Sequence, residues 1–343
     1  MARKTRKVCF ATKEELKEVN PKNLALLEEF MQYYVASDHS DASCLVIRSN
    51  LNIFFVWLKN HRNNKDFKDV KKKDILAYQG WLLSNDLSPA RVRGLKSAIS
   101  SLSIYIEDML DEEEEWSNFK NLANKIKPPT NVPVRVKTIL KDEQIEDYLQ
   151  LLVSRDNFRD AQRALALALA WASGSRISEL LRFKVSFFIE ENKCFNGQLY
   201  KTPFPIKTKG KGRKGKPLEK YTLVHKFQPY LDHYMKHRDL MEIPNEMDEL
   251  FVSWDKVEKK WRPALNSTLE SYAETFSKEM NCDFYFHCMR HNCCTEMLRA
   301  GLPESLVVEL FGWSSSDLLK VYDDRTKEEK FSQYTLNFTQ EAK

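Results

Sequence analysis

Apolar residues recur at intervals of three and four through the first third of the chain. Leu24, Leu27, Met31 and Tyr34 form one such set, Leu51, Phe54, Phe55 and Leu58 a second, and Ile75, Tyr78 and Leu82 a third. Each predicts an amphipathic helix. A fourth begins at Ser88-Pro89, a capping serine before a proline at the first helical position, and runs through Val92, Leu95, Ile99, Leu102 and Ile106. Its other face carries Arg91, Arg93 and Lys96, so a small helical bundle with a basic surface is expected.

The periodicity stops at "KPPTNVPVRVKT", residues 127–138, where three prolines mark a linker. This divides the chain into a basic N-terminal segment (1–22), a helical domain (23–127), a linker (128–138) and a second domain (139–343). Helical patterns return at about 142–153 and 157–172, and again in "SGSRISELLRF". Between Val185 and Val224, β-branched and aromatic residues alternate with Gly, Pro and Asn, which predicts two or three strands. "ELFVSW" reads as another short strand, and the remainder as helix to the end. The expected class is mainly α with a small β-sheet.

Composition narrows the function classes. With 343 residues, 42% of them hydrophobic, the chain can fill about two cores, and a folded rather than a disordered chain is expected. The apolar run "ALALALAWA" is far shorter than the roughly 20 residues of a membrane span, and no apolar stretch follows the charged N-terminus, so a cytoplasmic protein is expected. The cysteines, at 9, 44, 194, 282, 288, 293 and 294, are odd in number, which argues for reduced thiols.

Charge is more informative in its distribution than in its net value of +5. "KTPFPIKTKGKGRKGK" contains Lys207, Lys209, Lys211, Arg213 and Lys214 among its bases and no acid, a pattern that suits a loop approaching a polyanion and equally, on charge alone, a solvated flexible loop. "EDMLDEEEE" has the opposite character and is expected to face away from DNA.

Breaking and rejoining a DNA backbone requires cationic donors on the phosphate oxygens, a hydroxyl nucleophile that stores the bond as an ester, and an acid for the leaving 5′ oxygen. The second domain supplies these in order: Arg176 three residues before Glu179, the lysine-rich loop, "HCMRH" with His287, Arg290 and His291, and Trp313 nine residues before Tyr322. This ordered set resembles the tyrosine recombinase (phage integrase) family over about residues 139–330. The resemblance implies a helical DNA-clamping domain joined to a mixed α/β catalytic domain. It implies phosphate binding by Arg176 and Arg290 with help from His287, a positioning role for Trp313 and Tyr322 as nucleophile. Glu179 and His291 are implied as supporting residues. Lys209, in "TKG" of the basic loop's hairpin tip, is the expected general acid, with Lys211 the alternative.

The expected function is site-specific DNA strand exchange through a 3′-phosphotyrosine, without ATP, cofactor or metal. The alternatives are a type IB topoisomerase and a catalytically silent DNA-binding regulator. The expected partners are a double-stranded recombination site and, during synapsis, three further copies forming a tetramer, from a free monomer or dimer. About twenty residues precede the first predicted helix, so no separate arm-binding domain is expected. Phe331, Tyr334 and Phe338 share one helical face at the C-terminus, and the resemblance implies that this tail docks on a neighbouring subunit. The i, i+4 histidine pairs of "HCMRH" and "HYMKH" lack the glutamate of a zinc protease, and Cys293-Cys294 are adjacent rather than spaced for ligation, so no metal site is expected.

Overall fold

A computed structural model describes residues 10–130, 137–210, 212 and 214–332. The chain forms two compact units, one within Met1–Val136 and the other comprising Lys137–Gly210 and Gly215–Lys343.

The first unit contains α1 (Lys13–Lys17), α2 (Pro21–Ala36), α3 (Asp41–His61), α4 (Lys72–Ser84) and α5 (Pro89–Met109). The last four are the helices that the periodicity predicts, and Ser88 caps α5 through its hydroxyl and the Arg91 N–H. Leu51, Phe54, Leu58, Leu82, Leu95, Ile99, Leu102 and Ile106 are wholly buried between them. The first helix starts earlier than expected. Thr12 and Glu15 cap one another's backbone N–H groups, which starts a helix of only five residues, too short for any periodicity to register.

The second unit is built around α7 (Phe158–Ser173), which packs against α6 (Asp142–Ser154), α9 (Val224–Asp239) and α11 (Phe286–Arg299). Every residue from Ala161 to Ser173 is buried, so the alanine and leucine run is a central core helix. Further helices of this unit are α8 (Ile177–Leu180), α10 (Asn266–Glu279), α12 (Glu304–Leu310) and α13 (Leu319–Tyr322).

The strand count exceeds the expected two or three. β1 (Lys193–Cys194), β2 (Leu199–Lys201) and β5 (Tyr221–Leu223) form one antiparallel sheet, and β3 (Ile206–Thr208) pairs with β4 (Lys216–Leu218) in a separate hairpin. Strands of two or three residues carry no readable alternation. The helical reading after "ELFVSW" is also corrected: β6 (Val252–Asp255) turns back into β7 (Lys260–Pro263), with Trp254 opposite Trp261. A polar strand ending in proline hides its identity until its partner is known. Residues 327–332 are helical and Phe331 is exposed, whereas Tyr334 and Phe338 lie outside the described residues. No helix among the described residues is long and apolar enough to cross a membrane.

Candidate active site

The site begins where α7 ends. Gly174 adopts φ 57°, and its N–H closes the helix on the Ala170 carbonyl. A Cβ at this position would lie 2.9 Å from the Phe311 ring and 3.1 Å from Cys293 Sγ, so both the backbone conformation and the space call for glycine. The reversal delivers Arg176 as the N-cap of α8, not as a residue within a helix as its spacing from Glu179 suggests. The contact is nevertheless made: the Arg176 backbone N–H donates to Glu179 Oε2 at 3.0 Å and its Nη1 to Oε1 at 2.7 Å.

Glu179 is wholly buried and three cations converge on it. Besides Arg176, Lys220 Nζ lies 3.3 Å from Oε2 and Arg290 Nη1 lies 3.9 Å away. Burial alone would raise the Glu179 carboxyl, but Lys220, the Arg176 N–H and the two arginines hold it at about 2. Burial pushes Lys220 down, and the Glu179 carboxylate 3.3 Å away opposes that push. Lys220 has no place among the expected site residues. In the sequence it is one more lysine at the edge of the basic stretch, and its 3% side-chain exposure is a tertiary property.

Helix α11 presents His287, Arg290 and His291 toward the same centre. Arg290 is wholly buried, pushed down by burial and by Arg176 to about 10, and remains charged at neutral pH. Its Nη1 and Nη2 donate to the carbonyls of Gly174 and Phe311, each at 2.8 Å, and its guanidinium lies over the Phe311 ring at 4.4 Å. That fixes the fork and leaves Nε buried with no partner; Trp313 Nε1 is likewise buried and unpartnered.

Tyr322, at the end of α13, packs among these groups. Its ring stacks on His291 at 4.4 Å and lies 4.7 Å from Trp313, and its hydroxyl is 2.5 Å from His287 Nε2. The Thr295 hydroxyl donates to the Tyr322 carbonyl and accepts from the Asp324 N–H, each at 3.0 Å. Lys137 holds the same segment, donating to the Val321 carbonyl at 2.6 Å and pairing with Asp324. Neither Thr295 nor Lys137 was expected here. Nothing in the local sequence links residue 137 to residue 324.

Burial and the charges of Arg290, Arg176 and Lys209 push His287 down to about 4, and burial with the Lys137 charge pushes His291 down to about 3. Both rings are therefore neutral at pH 7, and the tautomer protonated at Nδ1 lets His287 Nε2 accept from the Tyr322 hydroxyl. A pH dependence follows. The unfolded chain protonates its histidines near pH 6.5 while the folded chain resists to about 4, so stability falls as pH drops from about 6.5 toward 4. Glu179 adds nothing in the upper part of that window, since the advantage of its lowered carboxyl is lost only as pH falls below about 4.5. Thermal denaturation between pH 7 and 5 checks this: the melting temperature of the parent chain should decline, and His291→Phe should flatten the decline.

The basic loop is placed in part. β3 packs beside α8, and Lys209 follows it directly, so it stands at the base of the loop rather than at the hairpin tip expected for it. Its charge nonetheless reaches His287. Lys207 and Lys214 are exposed, and Lys211 and Arg213 lie outside the described residues. In the first unit, Arg91 donates to Asn50 at 2.7 Å, Arg93 is half-buried, and Lys96 donates to the Ile126 carbonyl at 2.7 Å, so this basic face is partly engaged internally. Cys288, Cys293 and Cys294 are buried on α11, and burial pushes their thiols up to about 12, the state of inert core fillers.

Comparison with known proteins bears on the same region. The phage integrase family profile matches residues 138–329. Over 338 residues the chain is 25% identical to the SPbeta prophage-derived recombinase-like protein YomM of Bacillus subtilis (strain 168), covering 94% of this chain and 93% of that protein. It is 24% identical over 315 residues to a protein named tyrosine recombinase from Thermosipho africanus (strain TCF52B), covering 89% and 97%. The fold matches the XerH site-specific recombinase in a post-cleavage complex with a palindromic difH substrate, at TM-score 0.63 and 17% identity, over 86% of this chain and 79% of XerH.

Proposed function

Because the chain belongs to the phage integrase family and is a tyrosine recombinase, we propose that Tyr322 is its nucleophile and that the scissile phosphate sits against Arg176, Arg290 Nε and Trp313 Nε1. The observation that carries this reading is the pair of buried, unpartnered N–H donors beside a tyrosine hydroxyl already bonded to a neutral histidine. Buried donors of this kind are costly unless an acceptor arrives, and a phosphate oxygen is such an acceptor. With its fork anchored on two carbonyls, Arg290 keeps its Nε–H without a partner.

In the proposed reaction the Tyr322 oxygen attacks phosphorus as its proton passes to His287 Nε2. A phosphotyrosine bond forms to the 3′ side, and the bond to the 5′ oxygen breaks. Lys209 protonates the departing oxygen. The 5′ hydroxyl of a partner strand then reverses these steps, so the bond energy stays in the ester. Exchange between two duplexes requires four such centres, which supports assembly as a homotetramer on two DNA sites. XerH is a site-specific recombinase bound to a palindromic difH substrate, and that likeness supports a double-stranded recombination site as the substrate here.

Two experiments test this. A plasmid with two cognate sites distinguishes exchange from simple relaxation: recombinant products are expected, and relaxation alone would favour the topoisomerase reading. Replacing the leaving 5′ oxygen with sulfur removes the need for an acid. Lys209→Ala should then recover cleavage on the sulfur substrate, and recovery by Lys211→Ala instead assigns the acid to Lys211.

A further inference from the structure

The turn between α6 and α7 brings a carboxylate to a histidine pair that the catalytic centre does not use. His233 and His237 are four residues apart on α9, so their side chains lie on one face one turn apart, with ring centroids 4.7 Å from each other. Asp156 lies in the α6–α7 turn, with φ 45°, and α7 packs along α9. One ring nitrogen from each histidine and one Asp156 oxygen lie within 4.8 Å of one another. His237 Nε2 is 3.2 Å from Asp156 Oδ1, and His233 Nε2 is shielded from solvent with no hydrogen-bond partner.

We propose that Asp156, His233 and His237 form a binding site for a zinc-class divalent ion. Two imidazoles and one carboxylate are borderline donors that suit zinc, copper or nickel better than calcium or magnesium. Tetrahedral zinc, with bonds of about 2.0–2.2 Å, places its donor atoms roughly 3.4 Å apart. His237 Nε2 and Asp156 Oδ1, 3.2 Å apart, are already near that separation, and a His233 ring nitrogen lies within 4.8 Å of the other two donors. Asp156 is 83% exposed in its side chain, which leaves the outer side open to a water as fourth ligand. The ion would satisfy the unpartnered His233 nitrogen and would tie the α6–α7 turn to α9.

"HYMKH" alone cannot reveal such a site. It offers two donors, and the third lies 81 positions before His237. By contrast, Arg290 lies between the catalytic His287 and His291 in sequence, its charge lowers both rings, and the His287 Nε2 already faces the Tyr322 hydroxyl.

The test uses the full chain stripped with a chelator, then titrated with zinc by calorimetry and with cobalt(II) by visible absorption. One ion per chain is expected at micromolar zinc, with cobalt bands of four-coordinate intensity and a higher melting temperature for the zinc-loaded protein. His233→Ala and His237→Ala should each weaken binding by at least ~100-fold, and Asp156→Asn by at least ~10-fold. Melting curves of the metal-free variants establish that they fold. Absence of binding to the parent chain, or unchanged affinity in the His233→Ala/His237→Ala double variant, overturns the proposal; in the second case the ion sits elsewhere.

Discussion

Tyr322→Phe is expected to bind its DNA site as the parent chain does and to form no covalent adduct with it. The substitution removes one oxygen from a ring whose packing on His291 and Trp313 is unchanged. The lost hydrogen bond leaves His287 Nε2 without its partner and should cost about 1–3 kcal/mol of folding stability. Catalysis responds on another scale, because removal of a nucleophile leaves only positioning and charge stabilisation, a loss on the order of 10⁴-fold or more. Trapping on a nicked substrate followed by peptide mapping measures the effect. An adduct that survives in this variant, or one mapped in the parent chain to Tyr334, removes Tyr322 from the nucleophile's role.

The second large effect concerns Lys220. Lys220→Met keeps a flexible side chain of similar length but withdraws one of the cations that hold Glu179 ionised in the interior. Removing one partner of a buried ion pair costs about 3–5 kcal/mol, and the low end applies because Arg176 and Arg290 remain. Adding Glu179→Gln removes the stranded charge, so the double variant should be more stable than the sum of the two single changes implies, by about 1–3 kcal/mol. Denaturant unfolding of the four chains measures that coupling. If Lys220→Met is as stable as the parent, or the two changes are additive, Lys220 is not what keeps Glu179 charged.

The charge states of Glu179, His287 and His291 depend on the same physical fact. In a centre this buried, a group's ionisation is set by its neighbours more than by its type. His287 is neutral because it is buried beside Arg290, Arg176 and Lys209, and Glu179 is ionised because cations surround it too.

Much of the architecture is legible in the amino-acid sequence. Four helices of the first unit follow from apolar spacing, and Ser88-Pro89 marks the start of one to the residue, since capping and periodicity are local properties. The catalytic candidates are legible for a different reason: Arg176, His287, Arg290, Trp313 and Tyr322 form an ordered chemical set that few other functions would require. What the tertiary structure alone decided are relations between distant segments. Whether a lysine is solvated or buried against Glu179 depends on residue 220 and α8 meeting, and α1, β7 and the short strands exist because of caps and pairing partners too small to show in a pattern. Arg290 Nε and Trp313 Nε1 were left unpartnered by the placement of two carbonyls and an aromatic cluster, and Asp156 was brought to the α9 histidines by the packing of α7 on α9. Side-chain chemistry is carried by the sequence residue by residue, whereas burial and pairing arise only when the chain closes on itself, and these decide which of those side chains are charged, neutral or waiting for a ligand.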